Sequence, residues 1–215
     1  MSRASKRTKV RRNAGRGNYE GSVIADILDA NQICHVSYVE NGEPRIIPTL
    51  YMRKDNYVYL HGNRQAALLK HLGAGGLACF SVMSVQGVVV ARSGFHCSMN
   101  YRSVVLFGRG ECVPEDERVT ILDGFVAALV PGHEAQVRAH TEQEINATTA
   151  VRIPIDEASA KLRDGPPIDD ESDFDSDVWA GVIPLKTQVL APIPSPNLKA
   201  GIPVPDYISS YGKTR

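Results

Sequence analysis

The chain has 215 residues, of which 43% are hydrophobic, and its formal net charge at neutral pH is zero. A chain of this length buries a substantial core and is more typical of one domain than of two. Zero net charge provides no overall attraction to nucleic acid, so we do not expect a nucleic-acid-binding protein. No apolar run reaches the roughly 20 residues that a membrane-spanning helix needs, so no membrane association is expected.

The charges are segregated along the chain. Residues 1–18 hold seven Lys and Arg residues and no acid, whereas residues 164–177 hold seven acids and no base. A short block of like charge at a terminus is typical of disorder, so we expect residues 1–18 to form a disordered basic arm. The arm lacks the apolar stretch of a secretory signal, which favours a cytoplasmic protein.

Cysteine spacing argues against a metal or disulfide framework. Cys34, Cys79, Cys97 and Cys112 form no CxxC pair, and three of them lie in strand-like runs. Buried, reduced thiols in a cytoplasmic protein are therefore expected, and we predict no metal site.

The first half of the chain alternates between strand and helix patterns. Ser22 is expected to cap a helix, because the apolar residues that follow it recur at helical spacing. Residues 33–39 and 45–52 flank Asn41-Gly42, a strong hairpin signal, and residues 56–62 add a third strand. Three strands joined in this way predict an antiparallel meander. A helix should then begin near Arg64 and end at the glycine run.

The second half continues the strand pattern. Residues 77–85 and 87–93 are predicted to form a hairpin at Gln86-Gly87, and residues 101–113 a long strand. Gly108 and Gly110 within that strand predict a bulge or bend, as at a barrel corner. The later elements are predicted as a helix after Pro114, a strand at 148–155, an acidic loop at 165–177 and a strand at 178–186.

These elements predict a mainly β fold with flanking helices, arranged as an antiparallel barrel. We divide the chain into the basic arm at 1–18, a barrel domain at 19–190 and a proline-rich tail at 191–215 that packs on the domain. Prolines exclude the tail from a central strand.

Two groups of polar residues interrupt apolar strands. Segment 95–103 (FHCSMNYRS) lies between two strand-like runs, and Arg92 and Arg102 flank it. A buried guanidinium needs an anion, so these arginines predict a phosphate or carboxylate partner. The second group is Pro48 and Thr49 in one strand, His61-Gly62 at the end of the next, then Arg64 and Lys70. This group suits an anion site, although, taken alone, these residues are better explained by a strand-end His61 and a solvated Lys70.

The runs IPTLYMR, YLHGN, LLKHL and GVVVARSGFHCSMNYRSVVLFGRGE resemble the pyridoxamine 5′-phosphate oxidase-related flavoproteins, in the branch that includes nitroimidazole-resistance proteins. The resemblance extends over roughly residues 8–210. It implies an FMN-binding split β-barrel of Greek-key type, and a homodimer with two flavin sites at the subunit interface.

The resemblance also assigns roles to residues. Strand residues Ile46–Leu50 would lie along the isoalloxazine, His61 and Gly62 beside the flavin, and Arg64 and Lys70 near its phosphate. Arg102 and Ser103 would contact the flavin from the partner subunit. The complete set of expected cofactor-binding residues is Ile47, Pro48, Thr49, Leu50, His61, Gly62, Arg64, Lys70, Arg92, Ser93, His96, Ser98, Tyr101, Arg102 and Ser103.

One departure from the family pattern affects the phosphate site. Relatives often carry Ser-Arg just before the Leu-Leu-basic triplet, whereas this chain has Ala66 and Ala67. Losing two donors to a charged oxygen costs about 1.5–3 kcal/mol each, so FMN binding is expected to be weakened unless Arg64 and Lys70 compensate. The substrate-binding Arg and His residues of the vitamin-forming oxidases have no clear counterpart, which argues against pyridoxamine phosphate as substrate.

Three functions are compatible with this resemblance. The first is an FMN-dependent oxidoreductase acting on an unidentified small molecule, such as a nitro compound, with His61 or His96 as candidate proton donors. The second is a non-enzymatic flavin carrier or sensor whose basic arm recruits a partner. The third is haem binding or degradation on the same barrel, with His61, His71 or His96 as axial ligand.

Overall fold

The structure is a computed structural model in which residues 4–212 are described. The strands, in chain order, are β1 (Gly17–Asn18), β2 (Ile33–Glu40), β3 (Glu43–Leu50), β4 (Met52–Lys54), β5 (Tyr57–Asn63), β6 (Leu77–Val90), β7 (Ser98–Arg109), β8 (Glu111–Cys112), β9 (Thr148–Pro154), β10 (Ala158–Arg163) and β11 (Gly181–Pro184). The helices are α1 (Gly21–Asp29), α2 (Ala67–Gly73), α3 (Glu115–Leu129), α4 (Glu142–Ala147) and α5 (Asp206–Ser209), and short 3-10 turns cover Ala14–Arg16 and Glu171–Asp173.

Two antiparallel sheets form the body of the protein, as the mainly β prediction required. The larger sheet has seven strands in the order β1-β10-β7-β6-β2-β3, with β11 added beside β6. The smaller sheet has four strands in the order β4-β5-β9-β8. Their inner faces share one apolar core, in which Val36, Phe80 and Val104 of the larger sheet meet Leu60 and Ile153 of the smaller one.

The hairpin predicted at Asn41-Gly42 is confirmed, but the three-stranded meander is wrong. Asn41 and Gly42 both have positive φ, 52° and 81°, as a two-residue turn of this kind requires. After β3 the chain leaves the larger sheet at Tyr51, and β4 and β5 pair within the smaller sheet. Tyr51 fixes this crossing, since its ring packs edge-on against Phe80 with centroids 4.9 Å apart.

The hairpin predicted at Gln86-Gly87 is also wrong. Residues 77–90 form the single long strand β6, and the register with β7 shifts between Val85 and Gly87, which is a β-bulge at Gln86. The reversal comes later, at residues 91–97. The polar segment 95–103 is therefore divided between this hairpin loop and the first half of β7.

Helix starts differ from the sequence expectations in two places. Helix α1 begins at Gly21 after Glu20, so Ser22 lies inside the first turn and does not cap the helix. Helix α2 begins at Ala67, so Arg64 precedes it and is not part of it. The start of α3 directly after Pro114 is confirmed, with three acids in its first turn.

The glycines predicted to bend the long strand mark a change of sheet. β7 ends at Arg109 in the larger sheet, and β8 begins at Glu111 in the smaller one. A Cβ on Gly108 would overlap the Ile153 side chain, and one on Gly110 would overlap the backbone of Leu72. The corner therefore needs glycine because neighbouring elements approach the backbone closely.

The described part of the expected arm lies against the larger sheet. Gly17 and Asn18 pair with β10, Thr8 is buried, and Arg7 forms an ion pair with Glu157. Residues 1–3, with Arg3 of the basic arm, and residues 213–215 of the tail lie outside the described residues. The domain limits themselves stay predictions.

The cysteines are free, but only part of the burial expectation is right. Cys34 is buried, and burial raises the pKa of its thiol to about 12. Cys97 and Cys112 are exposed, because Cys97 lies in the hairpin loop and Cys112 in the two-residue strand β8. Among the helices of residues 4–212, none is long and apolar enough to span a membrane.

Candidate functional site

The strand that carries Ile47, Pro48, Thr49 and Leu50 lies at one edge of the larger sheet. β3 pairs with β2 alone, and Pro48 lies opposite His35. Ile46 and Ile47 keep 60% and 40% of their surface exposed, which is unusual for apolar strand residues. Proline is tolerated here because an edge strand has a side that donates no ladder hydrogen bonds. The edge is therefore open to a ligand or to another chain.

Leu50 and His61 come together in a pocket of about 250 Å³ between the smaller sheet and α3. The remaining lining residues are Leu122, Phe125, Val126, Leu129, His140, Glu144 and Thr148. The His61 ring lies 4.1 Å from the Phe125 ring, centroid to centroid. We call this space the His61 pocket.

The surroundings of the His61 imidazole favour its neutral form. Burial lowers its pKa from the usual value, and the nearby His140 lowers the pKa further. Its Nδ1 atom is buried and has no hydrogen-bond partner among residues 4–212. A buried, unpartnered nitrogen is costly, so it marks a place where a ligand would be stabilised.

The polar rim of the His61 pocket was not found from the sequence. His140 Nε2 lies 3.2 Å from Asp123 Oδ1, and Glu144 is paired with Arg138 at 2.5 Å. The Arg138 bond, followed by hydrogen bonds from Thr141, lowers the pKa of Glu144. Thr141 and Glu144 form a reciprocal capping box at the start of α4. Their Thr-x-x-Glu spacing was the available signal for this helix.

The two expected phosphate ligands, Arg64 and Lys70, lie on either side of the start of α2. Arg64 Nη1 donates to the carbonyl of Asn146 at 3.2 Å, and Lys70 is exposed without an ion pair in the described part of the chain. Ala66 and Ala67 between them provide no side-chain donor, as the sequence indicated. Within residues 4–212 both cations retain side-chain donors that have no protein acceptor, so an anion is compatible with their charges.

The hairpin loop is covered by the acidic loop. Arg92 donates to Asp169 through its backbone N–H at 3.0 Å and through Nη1 at 2.8 Å. The Asp169 side chain is 1% exposed, so this is a largely buried pair. His96 Nε2 lies 3.2 Å from Asp170 Oδ2. The carboxylate that the Arg92 guanidinium was predicted to need is thus supplied by the chain itself.

Buried polar atoms remain without partners beside this pair. The Nε of Arg92 and the Oγ of Ser93 are both buried and unbonded within residues 4–212. Ser98, the first residue of β7, lies opposite Val89 across the hairpin. Arg92, Ser93, His96 and Ser98 are therefore neighbours at one end of the larger sheet, and their contact with a flavin stays a prediction of the resemblance.

Tyr101, Arg102 and Ser103 follow in β7. Arg102 lies opposite Ser84 on one side and Leu162 on the other. It is half-buried and forms no hydrogen bond or ion pair in the part of the chain that the structure describes. Ser103 Oγ donates to the carbonyl of Lys161 at 3.1 Å. Arg102 is accordingly a cation without a local counter-charge.

One chain does not bring all the expected flavin residues together. β2 and β6 separate β3 from β7. Three strand spacings correspond to about 14 Å along the sheet. A single ligand contacting both Ile47–Leu50 and Tyr101–Ser103 would have to cross that distance or lie between two chains.

A large groove runs over the outer face of the same sheet. Its volume is about 1260 Å³, and its walls include His35, Ser81, Met83 and Ser103 together with residues 186–192, at the junction of the barrel domain and the tail. Met83 is 64% exposed and Ile33 54% exposed. The outer face therefore combines exposed apolar side chains with a few polar groups.

Comparison with known proteins identifies the family. A family model described as pyridoxamine 5′-phosphate oxidase matches residues 21–162. This chain belongs to that family. The two packed antiparallel sheets are its split barrel, so the fold predicted from the resemblance is confirmed. No curated protein was found to be similar.

Solved structures give two extensive similarities. The flavocytochrome Anf3 from Azotobacter vinelandii is 39% identical, with 96% of each chain covered and a TM-score of 0.91. A protein from Mycobacterium smegmatis, named for FAD and haem binding, is 36% identical, with 91% of this chain and 96% of that chain covered and a TM-score of 0.88. A Bacteroides thetaiotaomicron structure assigned to 5-nitroimidazole resistance shares the fold at 16% identity, covering 68% of this chain and 86% of that one, with a TM-score of 0.58.

Proposed function

We propose that this protein binds a flavin and a haem and acts as an oxidoreductase on a small molecule. The relatives named for flavin and haem cover more than nine-tenths of this chain at 39% and 36% identity, which supports both cofactors. Within this chain, the observation that supports haem binding is the environment of His61. Its imidazole is half-buried against Phe125, and its Nδ1 is buried without a partner within residues 4–212.

The residues of the His61 pocket fit a haem edge. A neutral imidazole is the form that binds a metal, and partial burial favours that form of His61 by lowering its pKa. Leu122, Phe125 and Leu129 provide apolar contacts for a macrocycle. At about 250 Å³ the pocket is smaller than the roughly 300–1,000 Å³ usual for a complete ligand. Part of the haem would therefore extend beyond it, against solvent or a second chain.

Among the three histidines considered from the sequence, His61 is favoured. His71 Nε2 contacts the carbonyl of Leu77 at 3.0 Å, and its ring lies 4.8 Å from that of Tyr38. His96 is near Asp170 on the hairpin loop. Both imidazoles already have protein partners, whereas the Nδ1 of His61 has none among the described residues.

The flavin would be held by the residues that the resemblance indicated. The exposed β3 edge is suited to lie along an isoalloxazine, while Arg64, Lys70 and Arg102 are cations able to meet its phosphate. A bound flavin supplies one- and two-electron transfer, and the protein supplies position and charge. The resemblance favours FMN, whereas the Mycobacterium smegmatis relative is named for FAD.

Two chains would share each flavin. The separation of β3 from β7 within one chain supports this arrangement, because residues of both strands are expected at the cofactor. The exposed apolar side chains Ile33, Met83 and Val85 on the outer face of the larger sheet support a homodimer.

Release of the cofactors tests the proposal directly. The purified protein is denatured, and the released chromophores are identified by absorbance and mass. We expect one flavin and one haem per chain, and a Soret band in the native protein. A colourless protein that takes up neither FMN, FAD nor haemin would refute the proposal.

Three single substitutions test the haem ligand. Haemin is added to apoprotein carrying His61→Ala, His71→Ala or His96→Ala. We expect His61→Ala alone to abolish or strongly shift the Soret band. The other two variants serve as matched controls, and loss of the band in either of them with retention in His61→Ala would reassign the ligand.

A further inference from the structure

Residues 8–18 fold into a compact turn at the edge of the larger sheet. The backbone N–H of Val10 donates to the Tyr19 hydroxyl at 2.9 Å. Val10 also packs so closely on Gly17 that a Cβ added to the glycine would meet the Val10 side chain. Gly17 in turn pairs with Lys161 of β10. These contacts hold the basic N-terminal segment beside β10.

Five cations meet on this surface, which we call the cationic patch: Lys9, Arg11, Arg12, Arg16 and Lys161. The first three are exposed, and the other two are half-buried. Within residues 4–212, none of the five forms an ion pair and none of their side chains donates a hydrogen bond. Like charges held together in this way repel one another, so the patch is stabilised when an anionic partner covers it.

Local acids offset the cationic patch only in part. Glu157 is already paired with Arg7. Glu20 and Asp164 flank the patch along the chain, and one oxygen of Asp164 accepts from the Gly165 N–H at 2.8 Å. Cations therefore outnumber acids on this surface, although the whole chain has no net charge.

The partner of the cationic patch must be compact. The acidic segment 164–177, with seven acids, begins directly after Arg163. A nucleic acid or an anionic membrane would meet these carboxylates as well as the cations, which is unfavourable. A small folded protein with an acidic face of limited area would contact the cations alone.

The cationic patch adjoins a residue expected at the flavin. Lys161 lies opposite Ser103 on the neighbouring strand β7, and adjacent strands are about 4.8 Å apart. A protein docked on the patch would therefore lie beside the flavin residues of β7. The proposed oxidoreductase needs electrons from outside, and electron-transfer complexes between proteins are typically small, weak and steered by charge.

We propose that the cationic patch docks an acidic one-electron carrier protein that reduces the bound flavin. The inference rests on the proposed flavin binding. Two reduced carriers are each oxidised by one electron and together supply the two electrons that reduce one flavin, while the protons come from water. No bond forms between the proteins, and each oxidised carrier leaves the patch after the transfer.

The test measures the rate of flavin reduction in the flavin-loaded, full-length protein without oxygen. The acidic carriers are a reduced plant-type ferredoxin and a reduced flavodoxin, and reduced methyl viologen is the reductant that needs no docking. Arg11→Gln/Arg12→Gln removes two exposed charges from the patch. Lys54→Gln/Lys199→Gln is the matched control, because it removes two exposed charges from β4 and the tail.

We expect at least one carrier to reduce the flavin about tenfold more slowly in Arg11→Gln/Arg12→Gln, because charge steering speeds association by about 10–10³. The carrier rate of the unmodified protein should fall with added salt, since the Debye length shrinks from about 30 Å at 0.01 M to about 3 Å at 1 M. The control variant should keep the carrier rate within about twofold. Methyl viologen should reduce all three proteins equally fast.

Equal carrier rates in the two double variants would overturn the inference and leave flavin binding intact. The same holds if neither carrier reduces a flavin that methyl viologen does reduce. A protein that binds no flavin would overturn the proposed flavin function and, with it, the inference.

Two competing occupants are tested with the same variants. A short DNA duplex and vesicles containing phosphatidylserine are added separately to the unmodified protein, and we expect neither to bind. Binding of the duplex that is lost in Arg11→Gln/Arg12→Gln would assign the cationic patch to nucleic acid. Binding of the vesicles with the same loss would assign it to an anionic membrane, and either result would contradict the proposal.

Discussion

His61 and Phe125 pack with their ring centroids 4.1 Å apart, which places a strand-end histidine against the middle of α3. The contact explains why His61 is half-buried although it lies near the end of β5. It also separates the imidazole from water, so that protonation is disfavoured. The electrostatic effect of the nearby His140 lowers the pKa of His61 further.

The titration of His61 provides the first prediction. In cofactor-free protein we expect its pKa to lie below 6.5, and His140→Gln to raise it, because a neighbouring positive charge is removed. The measurement is an NMR titration of the imidazole protons, with His133→Gln, in the loop that follows α3, as a control. An unchanged His61 pKa in His140→Gln would contradict the electrostatic link.

The same shift predicts a pH dependence of stability. Well above pH 6.5 His61 is neutral in both the folded and the unfolded chain, so it has no effect on the free energy of unfolding. As the pH falls below 6.5, the unfolded chain binds a proton that the folded one resists, so stability decreases. We expect the stability lost between pH 7 and pH 5 to be smaller in His61→Leu than in the unmodified protein. Equal losses in urea titrations would show that His61 is not the responsible group.

The pair of Arg92 and Asp169 provides a prediction about the acidic loop. Asp169→Ala would leave a largely buried guanidinium without its carboxylate, so we expect the free energy of unfolding to fall by about 2–4 kcal/mol. Asp170→Ala is the matched control, because the Asp170 side chain is 74% exposed and its loss should change stability by no more than about 0.5 kcal/mol. Urea denaturation measures both. Similar effects of the two substitutions would mean that the loop is not anchored by Asp169.

The sequence was sufficient where a local rule decides the structure. Asn41-Gly42 specified its hairpin because both residues tolerate positive φ, and Pro114 with the acids after it specified the start of α3. The family was recognisable because segment 95–103 is long and unusual. These signals depend on a few neighbouring residues and need no knowledge of distant contacts.

The failures arose where tertiary contacts override local patterns. Gln86-Gly87 resembles a turn, yet β6 pairs with β7 on both sides of it. The strand therefore continues past these residues, with a β-bulge in place of a turn. β10 was missed because its burial comes from pairing with β7, which is distant in sequence. The rim of the His61 pocket was missed for the same reason, since His140 reaches it from a loop about 80 residues after His61.

The corner between the sheets provides a prediction about packing. In Gly110→Ala the added methyl group would overlap the backbone of Leu72, which cannot move without shifting α2. We expect a loss of about 1–3 kcal/mol in unfolding free energy. Gly94→Ala is the control, because Gly94 has open space around its Cβ position and should change stability by about 0.5 kcal/mol or less. If thermal unfolding showed comparable losses of stability in Gly110→Ala and Gly94→Ala, the close approach of Leu72 to Gly110 would be ruled out as the cause.

The proposed homodimer provides the last prediction. Met83 is 64% exposed at the centre of the outer face of the larger sheet, opposite Ser103. A carboxylate placed there would be buried without a partner in the dimer, so Met83→Asp should weaken association by at least about a hundredfold. Val119→Asp is the matched control, because Val119 is 40% exposed on α3, away from that face.

Sedimentation equilibrium measures the oligomeric state, and flavin retention is measured in the same samples. If the flavin is shared between chains, Met83→Asp loses dimer and flavin together, because each half-site then lacks the residues of the other chain. A monomeric Met83→Asp protein that retained flavin at full affinity would show that one chain suffices to bind it.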